Sequence, residues 1–156
     1  GFKPIANLSG HSLEQYTIHA GRSIPNIWSI GGFSLSDNSA YACEPFVTTK
    51  EAGGFVRNGQ IKNIFAINSR KKTKNEEADR LLDFIWKNFN MLPFALRWIT
   101  KEWEEKKARE LLDILVKKKA VQAYPVLIEV NEQRVAQAEH TFIPNETGVT
   151  VTTKAL

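Results

Sequence analysis

The chain has one cysteine, Cys43, only three histidines, and no apolar run long enough to cross a bilayer. A single cysteine excludes an internal disulfide framework and fits a reducing compartment. No positively charged start with an apolar stretch behind it is present, so nothing reads as a secretory signal. An excess of one charge sign is also missing: a net charge of +4 is too mild to indicate nucleic acid by itself. The start lacks an initiator methionine, and "GFKPIANLSG" reads as a piece of a longer chain. What is left is an ordinary globular composition, 42% hydrophobic and 24% charged over 156 residues, which suffices for one domain with a real core.

No internal repeat is present, but the chain falls into three zones. Up to about residue 68, β-like runs alternate with turns; "QYTIHA", "SAYACEPFVT" and "IKNIFAIN" are the strand candidates, and "IGGF" and "EAGGF" the loop signals. From 69 to about 123 the pattern becomes helical. Ala78, Leu81, Leu82, Ile85 and Phe89 fall on one face, with Asn75 as a cap and Glu76 and Glu77 at the positive end of the dipole. "LPFALRW" predicts a short helix after Pro93, and Ala108, Leu111, Leu112 and Leu115 predict another that ends in three lysines. From 124 onward "YPVLIEV", "RVAQAEHTFI" and "GVTVTT" return to β. The order predicts an α+β fold, a mostly antiparallel sheet interrupted by helices.

Two of the three histidines lie close together in "SGHSLEQYTIHAG". His11 follows Gly10 in an expected tight turn that lets the backbone approach other groups, and His19 shares a strand face with Thr17. Glu44 and Glu139 each sit in an apolar, strand-like run with no basic residue on the same face. A carboxylate so placed is costly unless paired, protonated or bound to a metal; the simpler reading is that each faces water. Histidine with carboxylates is a donor set suited to Mn, Fe, Co or Zn, although the spacing is not that of a helical zinc motif. The residues alone leave both readings open. Cys43 with a histidine could make a nucleophile and its base, but alternation turns it away from Glu44, and a buried structural cysteine is commoner. The basic stretches Arg70 to Lys74 and Lys117 to Lys119 could touch RNA, yet no aromatics are interleaved and a solvated face is the default.

Taken together, "NLSGHSLEQYTIHAG", "AYACEPFVT", "YPVL" and "VAQAEHTFI" resemble the C-terminal half of the type 2 methionine aminopeptidases, in the same order and over essentially the whole chain. The most specific element is G-H-(x7)-H-A-G followed by Ser-Ile-Pro-Asn, and the helical stretch between the second and third motifs is also a type 2 trait. The resemblance implies half of a pita-bread fold, with a helical insertion at about 69–123. It implies a cytoplasmic metallo-hydrolase that removes N-terminal methionine from nascent proteins with two divalent ions (Co, Mn, Fe or Zn). His11, Glu44 and Glu139 are the implied metal ligands, Glu139 bridging both ions and Glu44 also serving as general base. His19 is implied to bind substrate and steady the tetrahedral intermediate, and Ile18 and Tyr124 to flank the methionine pocket. One departure is close to the site: Ala138 stands where the family usually has Phe. In the family, two further aspartate ligands and another catalytic histidine come from the other half of the fold, and nothing here replaces them, so the chain alone is expected to be inactive. The implied partners are a nascent-chain N-terminus and the missing half, with no membrane; ribosome association is a further candidate. The alternative is a non-catalytic relative that keeps the fold to bind protein or RNA.

Overall fold

A computed structural model describes residues 1–154. In chain order its elements are β1 (Phe2–Pro4), β2 (Ser9–Leu13), β3 (Ser23–Pro25), β4 (Ala40–Cys43), β5 (Phe46–Thr49), β6 (Val56–Ile67), α1 (Glu76–Phe89), β7 (Phe94–Ala95), α2 (Leu96–Ile99), α3 (Glu105–Lys117), β8 (Val121–Glu129), β9 (Val135–Gln137), β10 (His140–Asn145) and β11 (Gly148–Val151). They divide into two units, Gly1–Asn58 with the chain from Leu127 on, and Gly59–Val126.

In the first unit the decisive feature is a break in two neighbouring strands. The run "SAYACEPFVT" does not stay one strand: Glu44 and Pro45 interrupt it, because proline has no N–H for the ladder. "RVAQAEHTFI" is interrupted directly opposite, at Ala138 and Glu139. Before the break, β4 joins the order β11-β10-β4-β2-β3; after it, β5 joins β1-β5-β9. The antiparallel register is continuous across the crossing, with Cys43 opposite His140 and Phe46 opposite Gln137. Glu44 therefore faces Glu139.

Several expectations for this unit need correction. "QYTIHA" is not a strand: Glu14 and Thr17 form an isolated bridge around a turn in which Tyr16 takes φ 60°. Nor is Gly10 in a tight turn. It lies within β2, where an added Cβ would stand 2.2 Å from the Ala42 carbonyl oxygen, so glycine is what lets β2 approach β4. Cys43 is exposed rather than buried.

A buried carboxylate fixes the other end of this unit. Glu129 accepts from the backbone N–H of Gly54 at 3.0 Å, Asn131 at 2.7 Å and Gln133 at 3.2 Å. Burial pushes its pKa up, but these backbone donors outweigh burial and hold it below the ordinary value.

The second unit is built as its periodicity predicts. Asn75 caps α1 by accepting from Ala78 N, and Glu104 caps α3 by accepting from Lys106 N and Lys107 N. Ala78, Leu81, Leu82 and Ile85 of α1 and Ala108, Leu111, Leu112 and Leu115 of α3 are fully buried. They form one core with Phe65 and Ile67 of β6, Phe94 of β7 and Val121 of β8, in the sheet ordered β7-β6-β8. The expected helix in "LPFALRW" is shorter than its motif: Phe94 and Ala95 pair with β6, and helix begins only at Leu96.

Candidate functional site

Strand β2 carries His11 opposite Ala42 of β4, and Glu44 lies two residues further along the chain, just past the end of β4 and on the His11 side. His11 Nε2 approaches Glu44 Oε1 to 2.9 Å, with both side chains largely shielded (14% and 13% exposed). His11 Nδ1 lies 3.3 Å from the Ser12 carbonyl oxygen. In the tautomer where Nδ1 carries the proton, it donates to that carbonyl and Nε2 offers a lone pair toward the carboxylate. Glu44 Oε1 has no hydrogen-bond donor, its 2.9 Å approach to His11 notwithstanding. In that tautomer two electron-rich atoms face each other, which a shared proton or a cation would satisfy; with the proton on Nε2 instead, His11 donates to Glu44.

Charge points the same way. Burial pushes the Glu44 pKa up, the facing Glu139 carboxylate pushes it further, and His11 offsets only part of this. Gln137 links the pair, its Nε2 donating to Glu44 Oε2 at 3.2 Å and to Glu139 Oε2 at 3.4 Å. Glu139 itself is exposed. His19 lies after the turn, with its ring edge-on to His11 at 4.4 Å between centroids. Burial, then the neighbouring His11, lower its pKa, which favours the neutral imidazole.

Among the described residues no group of three or more His, Cys, Asp or Glu side chains is already disposed to hold a metal ion. What the chain does present is part of a donor set, one imidazole and two facing carboxylates with an orphaned buried oxygen, and this chemistry fits a divalent cation. The structure does not place every candidate here. Ile18 lies beside the turn, half-buried, whereas Tyr124 belongs to the second unit, where the Gln122 side chain donates to its hydroxyl. Ala138, the departure from the family pattern, is exposed, and its N–H bonds to the Pro45 carbonyl at 3.2 Å.

Two residues that sequence reasoning missed hold this arrangement. One is Gln137, whose signal was its alternation with Glu139. The other is Asn26, the last residue of the Ser-Ile-Pro-Asn motif. With its amide oriented to satisfy both ends, Asn26 donates to the Glu44 carbonyl at 3.1 Å and accepts from Phe46 N at 3.3 Å, spanning the break that aims Glu44.

No protein-family model matches the chain. Individual relatives do. It is 39% identical to a methionine aminopeptidase of Methanocaldococcus jannaschii over 99% of this chain, and 40% identical to one of Saccharolobus solfataricus over 100% of it. The chain is a methionine aminopeptidase relative. It spans about half the length of these curated aminopeptidases, 51% and 52%. Among solved structures it is similar to a thermophilic Arx1, with a TM-score of 0.79 over 96% of this chain and 40% of that one. At 17% identity that likeness speaks for the fold alone, half of a pita-bread architecture with mixed helices and mostly antiparallel sheet.

Proposed function

We propose that this chain is the C-terminal half of a type 2 methionine aminopeptidase, a cytoplasmic metal-dependent hydrolase that removes methionine from nascent-chain N-termini near the ribosome. The observation that carries the proposal is the approach of His11 to Glu44, with an orphaned carboxylate oxygen, at the point where Glu44 faces Glu139. His11, Glu44 and Glu139 would hold the divalent ions (Co, Mn, Fe or Zn). When bound, such ions lower the pKa of water and polarise a carbonyl.

The remaining work falls to side chains of this unit. Glu44, whose pKa is raised by burial and by Glu139, is suited to take a proton at a carboxylate oxygen and return it to a leaving amine. Neutral His19 can donate a ring N–H toward an oxygen that gains negative charge. Gln137 keeps the two carboxylates in one orientation. Ile18 offers apolar surface beside His19 for a methionine side chain, and Tyr124 remains a candidate substrate-binding residue on the resemblance alone. The two aspartates and second histidine of the family would come from the rest of the protein. No helix among the described residues is long and apolar enough to cross a membrane.

The test is methionine release from a Met-Ala-Ser peptide by the full-length protein during titration with Mn²⁺ or Co²⁺. Metal-dependent release that Glu44→Gln abolishes supports the assignment. Intact folding with no release under any divalent metal would favour the rival reading, a relative that keeps the fold only to bind protein or RNA; the presence of His11, Glu44 and Glu139 together speaks against that rival.

A further inference from the structure

Side chains alternate along β2, so Ser12 faces away from the side that carries His11. On that far side the first unit holds a polar hollow of about 520 Å³, a volume suited to a small molecule. Its floor follows from three neighbouring residues. Ser12 lies opposite Tyr41 of β4 in register. On its other side, the Arg22 carbonyl accepts from Ser12 N at 2.9 Å, and Arg22 N donates to Ser12 Oγ at 3.0 Å. A small side chain between two long ones leaves a depression above it. Glu14, two residues beyond Ser12, lines the same hollow, as do Ser36, Asn38 and Ser39.

One end of the hollow offers donors that are not used. Ser12 and Tyr41 are only 7% and 3% exposed, yet each hydroxyl serves as an acceptor alone: Ser12 Oγ takes the Arg22 N–H, and Tyr41 Oη takes the Ser36 N–H at 3.0 Å. Among the described residues neither hydroxyl forms a hydrogen bond as donor, so two buried O–H groups are left to be satisfied. Arg22 is held beside them, its guanidinium over the Phe33 ring at 5.0 Å. The Ser36 N–H, then the Ser36 and Ser39 hydroxyls and Arg22, keep the Tyr41 phenol below its ordinary pKa against the opposing effect of burial, which marks this end as electropositive.

The hollow also holds a negative charge. Among the described residues neither Arg22 nor Glu14 has a partner within ion-pair distance, and although both line one depression they do not meet each other. Opposite charges set apart in this way leave room for a molecule that carries both. From this arrangement we infer that the hollow binds a free α-amino acid with a polar side chain. Its carboxylate accepts from the Arg22 guanidinium and from the Ser12 and Tyr41 hydroxyls, charge-assisted bonds that satisfy both buried O–H groups. Its ammonium meets Glu14, and its side chain faces Ser36, Asn38 and Ser39.

Occupancy has a consequence for the candidate site. Glu14 and Thr17 exchange backbone hydrogen bonds at 3.0 Å, and Ala20 N donates to the Ser12 carbonyl at 2.9 Å. Ile18 and His19 thus sit on a loop whose two ends, Glu14 and Arg22, the ligand ties together. An amino acid bound here steadies both residues from behind, which couples its binding to that of the substrate. Binding itself does not depend on the aminopeptidase reading; the effect on turnover rests on it.

The experiment is a calorimetric titration of the full-length, Mn²⁺-loaded protein with L-glutamine. We expect a Kd of about 0.1–1 mM, ordinary for a ligand of about ten heavy atoms. Glutaramate, which lacks the ammonium, and glutamine α-amide, which lacks the carboxylate, should each bind at least about 10-fold more weakly. Arg22→Gln and Glu14→Gln, both at exposed positions, should also weaken binding about 10-fold or more. Glu44→Gln should bind glutamine as the wild type does, which separates the hollow from capture of the amine at the ion site, and so should Glu146→Gln in the exposed β10–β11 turn. Saturating glutamine should lower the KM for methionine release from Met-Ala-Ser about five-fold in the wild type and leave it unchanged in Arg22→Gln. No binding of glutamine, binding indifferent to the loss of either charge, or loss of binding in Glu44→Gln would each overturn the site. Binding that leaves the wild-type KM unchanged would overturn its coupling to the turn, whereas glutamine binding without any methionine release would count against the aminopeptidase reading alone.

Discussion

The two units solve the problem of stability differently. In the second, seventeen apolar side chains are buried among the described residues, eight of them on the inward faces of α1 and α3. In the first, which is the larger, those buried among the described residues are Ile5, Tyr41, Ala42, Ala52 and Pro144. The first unit instead buries polar groups, Ser12, Thr48 and Glu129, and satisfies them with specific hydrogen bonds such as Thr48 Oγ1 to the Arg134 carbonyl at 2.8 Å. It also leaves Trp28 and Ile30 84% and 87% exposed, apolar surface of the kind that a further part of the protein normally covers. Packing that depends on volume tolerates substitution; packing that depends on aimed donors and acceptors does not. The difference teaches where function and stability can be separated: the candidate site lies in the unit that is held by geometry, and the core lies in the other.

Four substitutions would sharpen or break that separation. Glu44→Gln in the full-length protein should lower kcat/KM by about 10²–10⁴-fold with little change in melting temperature. A large loss of stability would show Glu44 to be structural instead. Leu115→Ala should do the reverse, costing about 2–5 kcal/mol in denaturant unfolding while the folded fraction keeps its activity. Gln137→Ala should reduce activity or metal affinity about 10–100-fold, because it frees the two carboxylates to turn; unchanged kinetics would remove it from the site. The smallest effect belongs to Asn75→Ala, which deletes the α1 cap and should cost about 1 kcal/mol, again without altering turnover.

Acid should weaken the first unit through Glu129. The pKa of folded Glu129 lies below its ordinary value. Its contribution is therefore complete above the unfolded value of about 4.3 and is lost as pH falls through the folded one. Melting curves of the wild type should drop over that acid range, while those of Glu129→Gln, less stable at neutral pH, should be flatter there. Parallel curves for the two proteins would dissociate Glu129 from acid unfolding.

The helices were legible because their signals are local: a cap at Asn75, apolar residues at helical spacing, and lysines at the end of α3. Strands were legible in composition but not in extent. "QYTIHA" has β-branched and aromatic residues, yet a turn at Tyr16 claims it, since nothing in a single run reveals where its ladder partner ends. The resemblance identified Glu44 and Glu139, but the run itself hid the fact that each sits at a strand break. That depends on a register between segments almost a hundred residues apart. Asn26 and Gln137 were present in quoted motifs and went unassigned, because what they hold becomes visible only when the crossing is built.

That crossing also constrains how this molecule can change over time. Side chains alternate along each strand, so gaining or losing a single residue between Ala40 and Thr49, or between Val135 and Asn145, would turn a glutamate to the opposite face and slide it past its counterpart. Such length variants should be purged, however conservative their composition. The connections around α2 are under no such rule, because a helix end can shift by a residue and still bury its stripe. Lineages descended from this chain should therefore vary in length between β6 and β8 and hold a constant residue count through both crossings.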